Sequence, residues 1–437
     1  MNFAHTNLDS SFEEQVVATL DYCRTRIPFY AAHWPSSTTE RFSELPIIDK
    51  SQIRRRQSDF YNSELAVGGI THTSGTTGDP LFVPKSISEI AFLNDVLDAI
   101  NRVDLRNRRP LGLSIRDNVH GHGPSYRSET LWLGDPSFSP STLELGRQYL
   151  TRRFELPRCE DRITSIFMST LEILHFTAFL KLSGFNPKAA DVRTVFSTGF
   201  PMCATWHSAI AEFWQCDHVD AFSLTELFGQ ALTCNECGRY HWDPFNLVEF
   251  LSPLSFSPVV EGVATMVIST LYPYAQIMPL IRYNTGDLVW VSRNCPHGIS
   301  FTPMGRMANA LKLGDGVLAP LDTEILEVLA KVNFAQRSMP FALRSLKLQN
   351  ALGYGMPIVA AELKEHTISI TLAVENQQEP SSLRLRRVED ELVQACHRVL
   401  RKIGRDPDDF VVTLVTGPSI GGSSEMFGCP TAGIPSQ

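Results

Sequence analysis

The chain has 437 residues, of which 43% are apolar and 20% charged, the balance of a folded protein with a sizeable core rather than a disordered or fibrous one. Its formal net charge of −8 comes with no long run of one sign, which argues against a broad nucleic-acid or membrane-surface footprint and leaves room only for a small basic site. Nine cysteines, an odd number and mostly scattered, point to a reducing compartment with thiols or metal ligands. The opening MNFAHTNLDSSFEEQVV lacks a basic and then apolar leader, and no apolar run has the length of a membrane span, so the expectation is a cytoplasmic protein.

In chain order, residues 12–33 show helical spacing interrupted at Pro28. Residues 44–56 read as a turn entering a helix, with Asp49 or Ser51 as cap. A polar, glycine-containing loop, 71–80, then leads into the strand-like LFVPKS. From about 90 to 260 helical segments alternate with short apolar runs at 164–170, 192–199 and 218–226, the pattern of an α/β sheet with parallel character. Residues 263–270 read as a strand and 279–288 as a loop with charges. A small α+β unit follows, with a helix over 322–333, a strand over 367–375, a helix over 383–402 and a strand over 410–415.

Four short segments carry chemistry. Thr73-Ser74-Gly75-Thr76-Thr77-Gly78 combines glycines, which allow backbone N–H groups to approach a polyphosphate, with hydroxyl donors; it lacks the Gly-Lys-Ser/Thr ending of a Walker loop, and a polar hairpin loop reads equally well. Phe222-Ser223-Leu224-Thr225-Glu226 places a hydroxyl and a carboxylate at a strand end, where the carboxylate can ligate Mg²⁺, or else begins a helix with Ser223 and Glu226 as a capping box. In Arg282-Tyr283-Asn284-Thr285-Gly286-Asp287 the aspartate can accept from a ribose diol or simply close a surface turn. Gly305-Arg306-Met307-Ala308-Asn309-Ala310-Leu311-Lys312 is a flexible point with two cations, or an ordinary linker.

Taken in this order, the segments resemble the adenylate-forming superfamily of acyl-CoA synthetases, and within it the phenylacetate-CoA ligase-like branch, over roughly residues 15 to 425. The resemblance implies a large N-terminal ATP- and acyl-binding domain (1–305) with β-sheets and flanking helices, and a small mobile α+β domain (306–437). It implies ATP, Mg²⁺ and CoA as cofactors. Thr73 to Gly78 would hold phosphates, Phe222 would stack near adenine with Gly199 in the adjoining turn, Thr225 would contact phosphates and Glu226 would hold Mg²⁺. Asp287 would bind the ribose, Arg306 would support ribose and phosphate, and Lys312 matches a lysine after the hinge. The loop His120 to Tyr126 falls where the family's acyl pocket begins. The family's C-terminal lysine position is taken here by Met426.

A further group, Cys234-x2-Cys237-x3-His241 with Cys295-x-His297, has the spacing of a structural Zn²⁺ site, and Cys237, His241, Cys295 and His297 are the favoured ligands, with Cys234 as substitute. Buried free cysteines and surface histidines are the plain alternative. The expected reaction joins a small, aromatic acid to CoA through an acyl-adenylate. Transfer to an amine or alcohol, and a non-catalytic nucleotide- or acyl-binding relative lacking the lysine at Met426, stand beside it.

Overall fold

A computed structural model describes residues 10–34, 42–73, 80–100, 108–115, 130–135, 138–338, 353–374, 380–417 and 426–427. The phosphate-loop residues Ser74 to Gly78 and the loop His120 to Tyr126 lie outside them. The chain divides into two compact units. The first holds Met1–Arg109, His120–Leu131 and Ala221–Thr302; the second holds Pro110–Val119, Trp132–Asp220 and Pro303–Gln437.

In the first unit, helices Ser10–Arg26 and Pro28–His33 meet at the interruption that Pro28 imposes, the proline occupying a first-turn position where its missing N–H costs nothing. Helix Lys50–Arg55 starts on Asp49, whose carboxylate accepts from Gln52 N while the Gln52 side chain accepts from Asp49 N. The sheet of this unit runs in the order Asn246–Leu251, Gly262–Thr270, Tyr283–Ser292, Ser300–Arg306, Tyr240–Trp242 and Ala231–Thr233. Its second and third strands pair antiparallel with a register shift between Thr265 and Val267. Burial alternates from Tyr283 to Asp287 although the residues between are polar and Gly286 sits at φ +72°, so residues 283–288 of the segment read as a loop are the start of a ten-residue strand.

One buried cation fixes the entry to that strand. The Arg282 guanidinium is 5% exposed. Its Nε and Nη2 donate to Glu249 at 3.0 and 3.1 Å, and its Nη1 donates to the carbonyls of Ser43 and Leu45. The adjoining backbone pairs as well: Ile48 N donates to Arg282 O at 3.0 Å and Asn284 N to Ile48 O at 2.8 Å, a parallel bridge between Ile48 and Tyr283.

The second unit carries the sheet order Leu131–Asp135, Arg109–Ile115, Cys159–Ser169, Thr194–Thr198 and Asp217–Phe222. Cys159–Ser169 and Thr194–Thr198 run parallel, with the helix Thr170–Leu182 in the crossover, as the alternating pattern implied. The same unit contains the C-terminal α+β elements. Hairpin strands Val359–Lys364 and Thr367–Ala373 are joined by the parallel strand Val411–Gly417, and helices Asp322–Leu329 and Ser382–Lys402 accompany them. Leu392, Cys396, Val399 and Leu400 repeat at helical spacing and pack on Ile368, Ile370 and Leu372.

Three contacts tie these C-terminal elements to helices Thr170–Leu182 and Ala204–Trp214. Trp206 Nε1 donates to Gly353 O at 3.0 Å, Thr205 donates from its N–H and hydroxyl to Glu327, and the Tyr354 hydroxyl and His175 Nδ1 share a hydrogen bond. Burial pushes His175 down to about 4, so its ring is neutral at pH 7. Any rotation of the C-terminal elements has to break all three.

Met426 is 5% exposed and packs with Leu311, Leu313 and Val359 in the C-terminal core. Its N–H donates to Val359 O at 2.9 Å and its carbonyl accepts from Asn309 Nδ2 at 2.5 Å. The position that the resemblance aligns with a catalytic lysine is therefore a core position. Met426→Lys is expected to lower unfolding stability by about 2 kcal/mol or more in urea titration, because an ammonium is placed in apolar packing, while Met426→Leu costs less than about 1.5 kcal/mol. Equal stability of the lysine variant and the native chain would remove Met426 from the core.

Candidate functional site

The strand Asp217–Phe222 ends directly before Ser223, and Ser223 to Leu227, in the first unit, continue as coil and turn. No helix starts at Ser223, so Glu226 is not a capping carboxylate. It is instead 7% exposed and held by two side chains: the Lys50 ammonium lies 2.9 Å from Glu226 Oε1, and the Tyr283 hydroxyl donates to the same oxygen at 3.2 Å. The bridge at Ile48–Tyr283 brings both partners there, since Lys50 opens the helix two residues beyond Ile48. Neither Lys50 nor Tyr283 stood out in the sequence, because their meeting depends on a pairing across more than two hundred residues.

The turn after Glu226 is shaped by Asp243. Its carboxylate accepts from Gln230 N at 2.6 Å, Phe245 N at 3.3 Å and Asn246 Nδ2 at 3.2 Å. Burial pushes its pKa up to about 7 against these donors. Gly229 sits at φ +77°, and a Cβ there would come within 2.2 Å of Asp243 Oδ2, so the turn accepts glycine alone.

Phe222 packs edge-on against Tyr240, Trp242 and Phe301, with ring centroids 6.3, 6.0 and 5.6 Å away. Asp287 is 6% exposed and lies inside the strand Tyr283–Ser292 rather than in a surface turn; its N–H donates to Thr285 Oγ1 at 3.1 Å. Thr73 is buried, and its backbone N–H and its hydroxyl both bond to Leu81, closing the base of the phosphate-type loop.

The cysteine–histidine group also belongs to this unit. Cys234, Cys237, His241 and Cys295 bring their ligand atoms within 4.8 Å of one another. A tight turn makes this possible, with Gly238 N donating to Cys234 O and Gly238 at φ +65°. His297, expected as a ligand, lies outside this group of four, and Cys234, expected as its substitute, lies within it. The His297 ring faces outward and its Nε2 pairs with Glu236 Oε1 at 3.1 Å, because the turn at Cys295–Gly298 carries it past the cluster. Backbone N–H groups, that of Cys237 first, hold the Cys234 thiol below its ordinary range, while burial raises Cys295.

In the second unit, Gly199 follows the strand Thr194–Thr198 at φ +87°. Behind this strand lies a buried polar group that sequence spacing did not single out. The Ser197 hydroxyl donates to Asp220 and lies 2.9 Å from His218 Nε2. The imidazole is not between serine and aspartate, so the order is not that of a hydrolase relay. Burial, then the neighbouring His207, pushes His218 down to about 3. The segment Gly305 to Lys312 is also here. Arg306 and Lys312 both expose their side chains, while Arg306 N and Asn309 Nδ2 donate to Asp322 Oδ2 at 3.2 and 3.0 Å. Burial pushes Asp322 up to about 6 against those donors. Gly305, at φ +132°, leaves room for that carboxylate, which a Cβ would approach within 2.4 Å.

No protein-family description matches the chain, and no curated protein matches it in sequence. Solved structures do match in fold. A 2-hydroxyisobutyryl-CoA ligase in an open conformation, bound to 2-HIB-AMP and CoA, superposes with a TM-score of 0.65 at 14% identity, over 95% of this chain and 89% of that one. A benzoate CoA ligase from Burkholderia xenovorans LB400 gives 0.52 at 12% identity over 84% and 68%. The anthranilate CoA ligase AuaEII in complex with anthranoyl-AMP gives 0.52 at 12% over 82% and 65%. The chain therefore has the fold of the adenylate-forming acyl-CoA synthetase superfamily, the family its motifs resemble.

Proposed function

We propose that the protein activates a small carboxylic acid with ATP as an acyl-adenylate and passes the acyl group to CoA. The observation that carries this reading is the burial of Glu226 at the end of the strand Asp217–Phe222 with Lys50 and Tyr283 on its carboxylate, in a chain with the adenylate-forming fold. In the first half-reaction a carboxylate oxygen attacks the α-phosphorus and pyrophosphate leaves. In the second, the thiol sulfur attacks the acyl carbon, and AMP leaves with the oxygen that came from the acid. Mg²⁺ would supply charge neutralisation across the phosphates, and Glu226, an oxygen donor already in a polar pocket, suits it as a ligand. The protein's part is positioning and electrostatics: Lys50 and Tyr283 hold the Glu226 carboxylate in one place, Asp243 fixes the turn behind it, and Asp287 offers a buried acceptor for the ribose.

An aromatic acid is the substrate class favoured by the phenylacetate-CoA ligase-like motifs; the benzoate and anthranilate ligases among the structural neighbours are consistent with it. The domain division at 305/306, with the second part mobile, belongs to this reading. So do Thr225, Arg306, Lys312 and the loop Thr73 to Gly78 as ATP contacts. A second reading, a nucleotide- or acyl-binding relative that does not turn over, is favoured by one observation: Met426 lies in the core and presents no cation.

The cluster of Cys234, Cys237, His241 and Cys295 suits Zn²⁺. Three thiols and an imidazole are a typical donor set. Zn–S bonds of about 2.3 Å place tetrahedral donors roughly 3.8 Å apart, within the span found here. With four protein donors the site would be structural, joining the hairpin Ala231–Trp242 to the turn at Cys295.

Glu226→Gln should cut acid-dependent ATP–pyrophosphate exchange by about 100-fold or more while shifting the melting temperature by only a few degrees. Exchange at the native rate in that variant would remove Glu226 from the site. Elemental analysis of protein purified without added metal should find about one zinc per chain. Cys234→Ser should lose it and His297→Ala should keep it. The opposite pattern would restore His297 as a ligand, and native protein free of metal yet fully folded would end the proposal.

A further inference from the structure

Asp322 opens the helix Asp322–Leu329 in the second unit and is 5% exposed. Its two carboxylate oxygens are treated unequally. Oδ2 accepts from Arg306 N at 3.2 Å and from Asn309 Nδ2 at 3.0 Å, while Oδ1 is buried with no hydrogen-bond partner among the described residues. These donors, the residue's own N–H and the charge of Arg306 favour the anion, and burial outweighs them. The Arg306 side chain is itself exposed. A buried carboxylate with one oxygen unmet is disfavoured beside a neutral residue of the same shape.

The same turn of helix grips the chain on both sides of residues 305 and 306. Thr323, the next residue, donates from its hydroxyl to Pro303 O at 2.9 Å. Gly305 runs so close to Asp322 that a Cβ would meet its side chain at 2.4 Å. Asn309 Nδ2 also donates to Met426 O, which carries the hold into the C-terminal core. Two hydrogen bonds favour this clasped arrangement, and the dry, unmet oxygen opposes it. Once the segment is released, water hydrates both oxygens and the two bonds are lost. Opposing contributions of similar size leave the clasped and released arrangements close in free energy.

From this geometry we infer that Asp322 is a positioning residue, a reversible latch that holds the segment Gly305 to Asn309, and with it Arg306, in the arrangement seen here and lets it go between the two half-reactions. It acts through Arg306 and Asn309 and touches neither substrate nor nucleotide. The inference rests on the reading of residues 305/306 as the point where the second part of the chain moves.

Two changes at this position have opposite expected signs. Asp322→Asn keeps an acceptor for both donors and removes the buried charge, which tightens the latch. Asp322→Ala removes the acceptor, which opens it. Hydrogen-exchange mass spectrometry of the full chain, resolved to the Arg306 amide, should find exchange slowed by about threefold or more in the asparagine variant and accelerated by about tenfold or more in the alanine variant, with the exposed control Asp408→Asn at the native rate. The same proteins are assayed for acid-dependent ATP–pyrophosphate exchange and for thioester formation from preformed acyl-adenylate and CoA. The ratio of these two rates should move in opposite directions in the two variants, by about threefold or more. A shift of the same sign in both variants at the Arg306 amide overturns the inference and marks Asp322 as a packing residue. If the alanine variant does not fold, Gly305→Ala, which drives a Cβ against the carboxylate, replaces it on the same readouts. Native protein inactive in both half-reactions overturns the adenylation reading and the latch's part in it. Native activity in both, with a ratio unmoved in either variant, overturns this inference alone.

Discussion

The Arg282 guanidinium is the constraint from which the candidate site follows. It is buried, it meets Glu249 through two nitrogens, and it holds the carbonyls of Ser43 and Leu45. Removing one member of such a group would leave the other charge buried without a partner, a loss of about 3–5 kcal/mol in comparable pairs. Its geometric consequence matters as much. With residues 43–48 fixed against the strand Tyr283–Ser292, Lys50 and Tyr283 have one place to go, and that place is the Glu226 carboxylate. A residue that reads as part of a nucleotide motif thus acts on the site through the backbone, without touching Glu226.

The distribution of charge in the first unit bears on the missing C-terminal lysine. One partly buried lysine, Lys50, lies 2.9 Å from the motif carboxylate Glu226. In the second unit, Met426 lies among aliphatic side chains, and the side-chain amide of Asn309 donates to its carbonyl. Electrostatic stabilisation by preorganised groups costs no reorganisation at the moment of reaction.

Much of this was legible in the sequence, and the exceptions have physical causes. Periodicity located the helix Ser382–Lys402 and the strands Thr367–Ala373 and Gly262–Thr270 to within a few residues, since each has a regular buried face. Asp49 was readable as a cap because capping is local. The strand that starts at Tyr283 was not, because its Asn-Thr-Gly-Asp run is polar and turn-like, with Gly286 at φ +72°, even though its burial alternates. Five possible metal donors could be named from spacing, but the choice of Cys234 over His297 depends on how two turns close. Glu226 was visible through its motif; the roles of Lys50 and Tyr283 were not, since each comes from a contact distant in sequence.

The central claim is that an oxygen of the substrate acid attacks the α-phosphorus of ATP. Isotope transfer tests it most directly. The native protein would be incubated with Mg·ATP, CoA and a small acid carrying ¹⁸O in its carboxylate, and the nucleotide product would be weighed by mass spectrometry. Adenylation followed by thiol attack leaves one labelled oxygen on AMP. Product AMP without label, or label appearing in inorganic phosphate beside ADP, would contradict it.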